Sequence, residues 1–288
     1  AEFLGRHEYL VGLSIDGPRE LHDAFRHDAA GGSVFDRVVE AARLLQRHEV
    51  DFNVMCTVNA VNSAHPLDVY RFFRDELGAR FVQFIPIVEV ETRPMRDVPG
   101  TVSDRSVQPR AYGRFLSEIF DEWVNRDVGE MFVQTFDGVL ASYVRGYSSL
   151  CVFRPTCGDG VALEHNGDLY SCDHFVDEEH LLGNIMDTPL RDLVNSPQQR
   201  EFGQAKQDLL PLYCRECRYL FACNGECPKN RILLTPDGEP GLNWLCEGLR
   251  DFFAHTEQPM RAMAEILQAG GQASEIMSMR AEEAARTG

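Results

Sequence analysis

Eight of the nine cysteines lie between residues 151 and 246, in about one third of the chain. A Cys-x2-Cys pair lets two sulfurs reach one metal centre from a tight turn, and four thiolates suit zinc or an iron–sulfur cluster. Eight thiolates could therefore form two four-cysteine sites. The candidate ligands are Cys151, Cys157, Cys172, Cys214, Cys217, Cys223, Cys227 and Cys246.

The spacing of these cysteines favours iron–sulfur clusters over zinc. Structural zinc sites commonly use two short paired knuckles, whereas this chain has one Cys-x2-Cys pair and widely scattered further ligands. Two zinc sites remain the alternative, and spacing alone does not assign each cysteine to a site. The ninth cysteine, Cys56, lies among apolar residues and is expected to be a buried free thiol.

Composition excludes several classes of partner. The chain has 288 residues, which suggests about two domains, and a net charge of −17. Such an acidic chain is a poor electrostatic match for nucleic acid or an anionic membrane, and no stretch of eighteen apolar residues is present. We expect no nucleic-acid or membrane partner.

The N-terminus has no apolar signal segment, which predicts a cytoplasmic protein without secretory disulfides.

Strand and helix patterns alternate in the first 90 residues. Strands are predicted at about 8–15, 51–58 and 80–88, with amphipathic helices at 33–48 and 66–77 between them. This β-α-β-α-β order predicts a parallel sheet or part of a barrel, and three strands are too few to close a barrel.

Polar side chains at the carboxyl ends of such strands are candidates for cofactor binding. Here they are Ser14, Asp16, Thr57, Asn59, Gln83 and Glu89. Asp16 has an alternative role, since it begins an Asp-Gly-Pro turn.

The remaining chain divides into a loop, helices and the cysteine-rich region. Tyr112, Phe115, Ile119 and Trp123 form a helical stripe that predicts a core face. An Asn-Gly pair within 162–170 predicts a hairpin. The predicted segments are a loop at 91–108, helices at 109–126, 131–146 and 245–267, and a flexible tail at 269–288.

Four sequence words carry a family resemblance. They are GLSIDGPRELHD (12–23), FNVMCTVN (52–59), VQFIPIVE (82–89) and LYSCDHFV (169–176). The cysteine series resembles the SPASM extension of radical S-adenosylmethionine (SAM) enzymes. Together with the four words, it resembles the anaerobic sulfatase-maturating enzymes over about residues 8–267.

The resemblance implies an α/β fold, the second half of a partial (β/α)6 radical SAM barrel followed by a SPASM domain with two iron–sulfur clusters. It assigns 1–108 to the barrel, 109–150 to connecting helices, 151–268 to SPASM and 269–288 to the tail. The family's Cys-x3-Cys-x2-Cys loop, which holds the SAM-cleaving cluster, has no counterpart in this sequence. We therefore expect the chain to be an N-terminally truncated piece that does not cleave SAM alone.

Roles of single residues also follow from the resemblance. It implies that Cys151, Cys157, Cys172 and Cys227 bind one auxiliary [4Fe-4S] cluster, and Cys214, Cys217, Cys223 and Cys246 the other. Asp173 matches the catalytic base, a role that a carboxylate can fill when its neighbours tune it. His174 either lines the same site or has a structural role. Ser14 is the best SAM candidate, followed by Asp16, Asn59 and Gln83.

The activity implied is conversion of a Cys or Ser of a sulfatase to Cα-formylglycine. The implied cofactors are the two auxiliary clusters, with SAM and a third [4Fe-4S] cluster in the complete enzyme. The implied partners are the sulfatase polypeptide and a reductant such as flavodoxin or ferredoxin. Two alternatives stay open: another SPASM enzyme that modifies peptides, and a non-catalytic iron–sulfur or zinc module that binds a peptide.

Overall fold

The computed structural model describes residues 1–93 and 98–287. No helix in this described part has both the length and the apolar character that a membrane span requires. The helices are α1 Glu2–Arg6, α2 Arg19–His22, α3 Phe35–Arg47, α4 Pro66–Arg71, α5 Pro109–Arg126, α6 Gln134–Arg145, α7 Leu190–Val194, α8 Pro197–Asp208, α9 Leu212–Arg215, α10 Leu220–Cys223, α11 Cys246–Gln268 and α12 Glu275–Thr287. The strands are β1 Val11–Ser14, β2 Phe52–Val58, β3 Phe81–Pro86, β4 Val90–Thr92, β5 Thr101–Val102, β6 Phe132–Val133, β7 Ala162–Leu163, β8 Asp168–Tyr170, β9 Leu181–Asn184, β10 Leu233–Leu234 and β11 Pro240–Leu242.

Two compact units can be distinguished by their internal contacts. The sheet unit comprises Ala1–Glu89, Val102–Val144 and Glu247–Gly288, and the cysteine unit comprises Val90–Thr101 and Arg145–Cys246. The cysteine unit carries two small antiparallel sheets, β7-β8-β9 and β10-β11. From Glu247 onward, α11 belongs to the sheet unit, although the family resemblance placed the whole segment 151–268 in SPASM.

The sheet unit is built on a parallel sheet of order β1-β2-β3-β6. Leu13, Val54 and Val82 lie on one face and are at most 8% exposed. On the other face, Ser14 and Gln83 both align with Met55. Because neighbouring strands are about 4.8 Å apart, Ser14 and Gln83 are about 10 Å from each other on the more open face.

The core of the sheet unit includes the aromatic face predicted for α5. Tyr112, Phe115, Ile119 and Trp123 are each at most 4% exposed, which confirms that the stripe is core. Trp123 Nε1 donates to the Met131 carbonyl oxygen at 2.7 Å. Cys56 is fully buried and free, as predicted.

A fourth strand occupies the start of the helix predicted over 131–146. Phe132 and Val133 pair with Phe81 and Val82, so the backbone is extended there and α6 begins only at Gln134. Sheet pairing overrides a local helical pattern in such cases.

The loop predicted at 91–108 contains part of β4 and all of β5, which pair with each other. Residues 94–97 of that loop lie outside the described residues.

The segment predicted as a flexible tail contains α12 instead. Its sequence is rich in Ala, Glu and Arg, which are strong helix formers, and Ile276 is only 3% exposed. Arg280 Nε also donates to Asn125 Oδ1 at 2.7 Å. Packing of Ile276 thus supports a helix that Gly270 and Gly271 separate from α11. Residue 288 lies outside the described residues.

Candidate metal centres

The first group of thiols gathers around Cys157. Cys157 interacts electrostatically with Cys151, and Cys172 and Cys227 each interact with Cys157. Cys151 begins a 3-10 turn, while Cys172 lies two residues after the end of β8. The N–H of Cys157 donates to the Gly203 carbonyl oxygen at 3.0 Å, which fixes its loop on α8. These four residues form the group that the family resemblance implied as one ligand set.

The second group gathers around Cys223. Its thiol interacts electrostatically with those of Cys214 and Cys246. Cys217 shares the tight turn of Cys214, since its N–H donates to the Cys214 carbonyl oxygen at 3.2 Å. Cys246 is the first residue of α11.

A left-handed turn separates the two groups at the Cys223-x3-Cys227 segment. Asn224, Gly225 and Glu226 have φ values of 48°, 71° and 51°. This conformation is costly for residues other than glycine, so the turn must be held by its surroundings. Asn224 Nδ2 donates to the Phe153 carbonyl oxygen at 2.8 Å. Cys223 and Cys227 consequently interact with different cysteines, although only three residues separate them.

None of the nine cysteines forms a disulfide. Burial raises the pKa of Cys172 to about 11 and that of Cys223 to about 12, and it also raises the pKa of Cys157 and Cys227. At neutral pH these thiols are protonated unless a metal binds, because metal coordination requires the thiolate. Two groups of four reduced sulfur donors fit two [4Fe-4S] clusters by donor type and number.

Buried charges surround the thiols. Lys206 is 1% exposed and Glu226 is 5% exposed. Burial lowers the pKa of Lys206 and Arg231, while nearby cysteine thiolates and Glu226 oppose that shift. Burial also raises the pKa of Glu226, whose Oε2 accepts hydrogen bonds from Asn243 at 2.6 Å and Asn230 at 3.1 Å.

Asp173, the predicted base, is an exposed residue next to the first thiol group. The Cys172 thiol donates to Asp173 Oδ1 at 3.2 Å. The neighbouring His174 places Nδ1 3.3 Å from Cys227 Sγ, and desolvation lowers the pKa of its ring. One ligand atom each from Cys172, Asp173 and His174 lies within 4.8 Å of the others, so these three side chains could also hold a metal ion.

The four predicted SAM contacts differ in solvent exposure and in the hydrogen bonds that their side chains already make within the protein. Ser14 is exposed and Gln83 is partly exposed on the open face of the sheet. Asn59 is fully buried, and its Oδ1 accepts from the backbone N–H groups of Val61 and Asn62 at 2.9 and 3.0 Å. Asn59 therefore stabilises the turn after β2.

Asp16 is 1% exposed and its carboxylate is occupied by protein donors. Arg26 Nε and Nη2 donate to it at 2.5 and 3.1 Å, and the N–H and hydroxyl of Thr57 donate at 2.8 and 2.9 Å. Arg26 was not among the sequence candidates. Arg26 follows Asp16 by ten residues, and no sequence motif indicates that the two side chains pair.

Comparison with known proteins identifies the cysteine-rich region. Residues 151–218 match the SPASM family, described as an iron–sulfur cluster-binding domain. This match supports iron–sulfur clusters over the zinc alternative.

The comparison extends over nearly the whole chain. A serine-type anaerobic sulfatase-maturating enzyme of Bacteroides thetaiotaomicron is 44% identical over 275 residues, covering 92% of this chain and 66% of that protein. A cysteine-type anaerobic sulfatase-maturating enzyme of Clostridium perfringens is 31% identical, covering 88% of this chain and 67% of that protein. The chain thus spans about two thirds of the length of these relatives.

A solved structure, native anSMEcpe with bound AdoMet, has the same fold. The TM-score is 0.81 at 29% identity, and the match covers 92% of this chain and 70% of that one. The radical SAM and SPASM architecture implied by the family resemblance is confirmed. The chain therefore belongs to the family of anaerobic sulfatase-maturating enzymes.

Proposed function

We propose that this chain serves in the oxidation of a serine or cysteine of a sulfatase to Cα-formylglycine. The observation that carries the proposal is the position of Asp173, an exposed carboxylate hydrogen-bonded to Cys172 at the edge of the first thiol group. Here a proton acceptor adjoins a cluster ligand where a polypeptide can reach it. The serine- and cysteine-type relatives support this choice of reaction.

The cofactor chemistry supplied by bound SAM and the clusters is one-electron oxidation, in which the substrate Cβ loses a hydrogen atom and then an electron. The residues of this chain supply the other functions. Asp173 accepts the hydroxyl or thiol proton of the substrate, which completes the two-electron oxidation to an aldehyde or thioaldehyde. A thioaldehyde is then hydrolysed by water to the aldehyde, with release of hydrogen sulfide.

The cysteines hold the auxiliary clusters in this proposal. Cys151, Cys157, Cys172 and Cys227 bind one [4Fe-4S] cluster, and Cys214, Cys217, Cys223 and Cys246 bind the other. The electrostatic interactions among the other seven thiols, and the turn that joins Cys217 to Cys214, support this partition.

SAM lies on the open face of the sheet in our proposal. Ser14 and Gln83 can contact it directly because both are accessible there. Asp16 contributes by positioning Arg26, because its own carboxylate oxygens already accept hydrogen bonds from Arg26 and Thr57. Asn59 shapes the adjoining turn.

A serine-containing sulfatase is the first substrate to test, because the 44% identical relative is serine-type. A small electron-transfer protein such as flavodoxin or ferredoxin would supply reducing electrons. Oxygen-sensitive clusters and this class of reductant favour a cytoplasmic location.

A chimera tests the proposed function directly. This chain replaces the matching part of the Bacteroides enzyme, so that the rest of that relative completes the protein. After anaerobic reconstitution, the chimera is incubated with SAM, dithionite and two peptides that differ only in serine or cysteine at the target position. Formation of the aldehyde, trapped with a hydrazine and located by mass spectrometry, supports the proposal. A folded chimera that holds its clusters and cleaves SAM but leaves both peptides unchanged overturns it.

A further inference from the structure

Two cations, the buried Lys206 and the partly buried Arg231, lie beside the thiol groups without an ion-pair partner in the described residues. Lys206 Nζ donates to the carbonyl oxygens of Cys151 and Val152 at 2.7 and 2.9 Å. Arg231 donates to the carbonyl oxygens of Lys206 at 2.7 Å, and of Gly225 and Asn224 at 3.1 Å each. Every acceptor is a neutral carbonyl, so these hydrogen bonds compensate neither positive charge.

A buried ammonium group needs a counter-charge, because its transfer from water costs several kcal/mol. Glu226 is the buried carboxylate nearby and interacts electrostatically with both cations. One carboxylate against two cations leaves a surplus of one positive charge. The other acidic groups that interact with Lys206 and Arg231 are cysteine thiols, and a cluster ligated by four thiolates is an anion.

Lys206 and Arg231 both interact with Cys157 but differ in their other thiol partners. Lys206 interacts electrostatically with Cys157 and Cys227, which both belong to the first group. Arg231 interacts with Cys157 of the first group and with Cys214 and Cys223 of the second. Arg231 is therefore placed between the two groups, whereas Lys206 acts on the first.

We propose that Lys206 and Arg231 set the reduction potentials of the two clusters, Lys206 for the first thiol group and Arg231 for both. A fixed cation stabilises the more negative, reduced cluster and thereby raises its potential. Burial strengthens this interaction, because the surrounding protein screens charge less than water does. The inference rests on the proposed cluster sites.

Redox titration of the reconstituted chain, followed by electron paramagnetic resonance, tests this role. In K206M, which removes the charge and keeps the length, the equilibrium constant for reducing one cluster should fall at least tenfold. For a one-electron couple this is a shift of about 59 mV to more negative potential. R231M should lower the potentials of both clusters.

Matched variants separate charge from packing. K206R and R231K keep the charge. In these variants the equilibrium constant for reducing each cluster should stay within about threefold of its value in the unmodified chain. R200M removes an exposed cation from the same helix, α8, and should change neither potential. Since K206M also loses two hydrogen bonds, iron and sulfide content is measured first for every variant. If K206M fails to hold its cluster, R231M decides the test.

The possible outcomes separate a failure of the role of the two cations from a failure of the proposed cluster sites. Fully loaded K206M and R231M proteins with unshifted potentials overturn the role of the two cations and leave the cluster sites intact. An equal shift in K206M and K206R would assign Lys206 to packing alone and also overturn it. An unmodified chain that binds no iron overturns the sites and the inference together.

Discussion

Asp173 and Asp16 are both carboxylates beside candidate cofactor sites, yet their surroundings suit them to different tasks. Asp173 is exposed, with a thiol donating to one oxygen. Asp16 is buried and saturated by Arg26 and Thr57. An exposed carboxylate can exchange a proton with a substrate, while a saturated one can only hold its neighbours in place.

Replacing Asp173 should remove proton transfer without removing clusters. In the chimera, D173N should lower the rate of aldehyde formation by about 100-fold or more, the usual contribution of a general base. Iron and sulfide content should stay unchanged, because the asparagine side chain has the same size. D187N, at an exposed aspartate of the same unit, serves as the control. Retention of the normal rate in a loaded D173N chimera would exclude Asp173 as the base.

Replacing Asp16 should destabilise the sheet unit through Arg26. Loss of one partner of a buried ion pair leaves the other charge uncompensated, and Arg26 retains some access to solvent. We expect D16N to lower the free energy of unfolding by about 2 kcal/mol in urea titrations. In the double variant D16N/R26M the two losses should be less than additive, because they remove the same interaction. Strict additivity would show that the pair contributes nothing.

At the scale of elements, the turn between Cys223 and Cys227 determines which group each thiol joins. At Gly225 a Cβ atom would lie 2.4 Å from Leu210 Cδ2 and 2.8 Å from Arg231 Nη2. G225A should therefore combine left-handed strain of about 1–2 kcal/mol with a steric clash, and it should lower cluster content. G238A is the matched control, since Gly238 has φ +85° but no atom within 4 Å of the added Cβ. Thermal unfolding and iron analysis compare the two, and equal effects would argue against a special role for this turn.

Helix α6 contains a carboxyl group with a raised pKa. Burial raises the pKa of Asp137 from 3.8 to about 6. The folded state thus binds this proton more tightly than the unfolded state, so the group destabilises the fold increasingly as pH rises from about 4 to 6. At pH 8 D137N should increase the free energy of unfolding by at most about 3 kcal/mol, since the helix N-terminus partly offsets the cost.

The pH dependence provides the check on Asp137. Urea titrations between pH 5 and 8 should show that the advantage of D137N shrinks as the pH falls below 6. D104N, at an exposed aspartate of the sheet unit, should show no such trend. A constant D137N effect at every pH would contradict the proposed titration.

The sequence predicted those elements whose pattern is set locally. The α5 stripe and strands β1 to β3 follow from periodic burial of apolar residues. Strand β6 has only two residues, and it exists because Phe132 and Val133 find β3 as a partner. Helix α12 likewise depends on burial of Ile276 and on Arg280 reaching Asn125, and neither contact has a local signal.

The same distinction applies to the candidate sites. Spacing indicated cysteine metal sites but not their partition, because a turn of three left-handed residues sends Cys223 and Cys227 to different groups. Arg26, Lys206 and Arg231 were not predicted from the sequence. Their importance arises from burial, complete for Lys206 and partial for Arg26 and Arg231, and from the partners that the folded chain brings to them. A basic residue in isolation carries no such information.

For the molecule as a whole, the two units suggest a division of tasks. The open face of the parallel sheet carries the accessible polar groups of the proposed SAM site, while the cysteine unit gathers eight thiols, the buried Lys206, the partly buried Arg231 and the proposed base.

The metal content of the anaerobically reconstituted chain tests the central claim most directly, because every role assigned to the cysteine unit requires the two clusters. Iron, acid-labile sulfide and zinc are measured per chain, with a C157A/C223A variant that removes the central thiol of each group. We predict about eight irons and eight sulfides, corresponding to two four-iron clusters, and a large loss of both in the variant. About two zinc ions with no iron would instead show two structural zinc sites and contradict the proposed redox function.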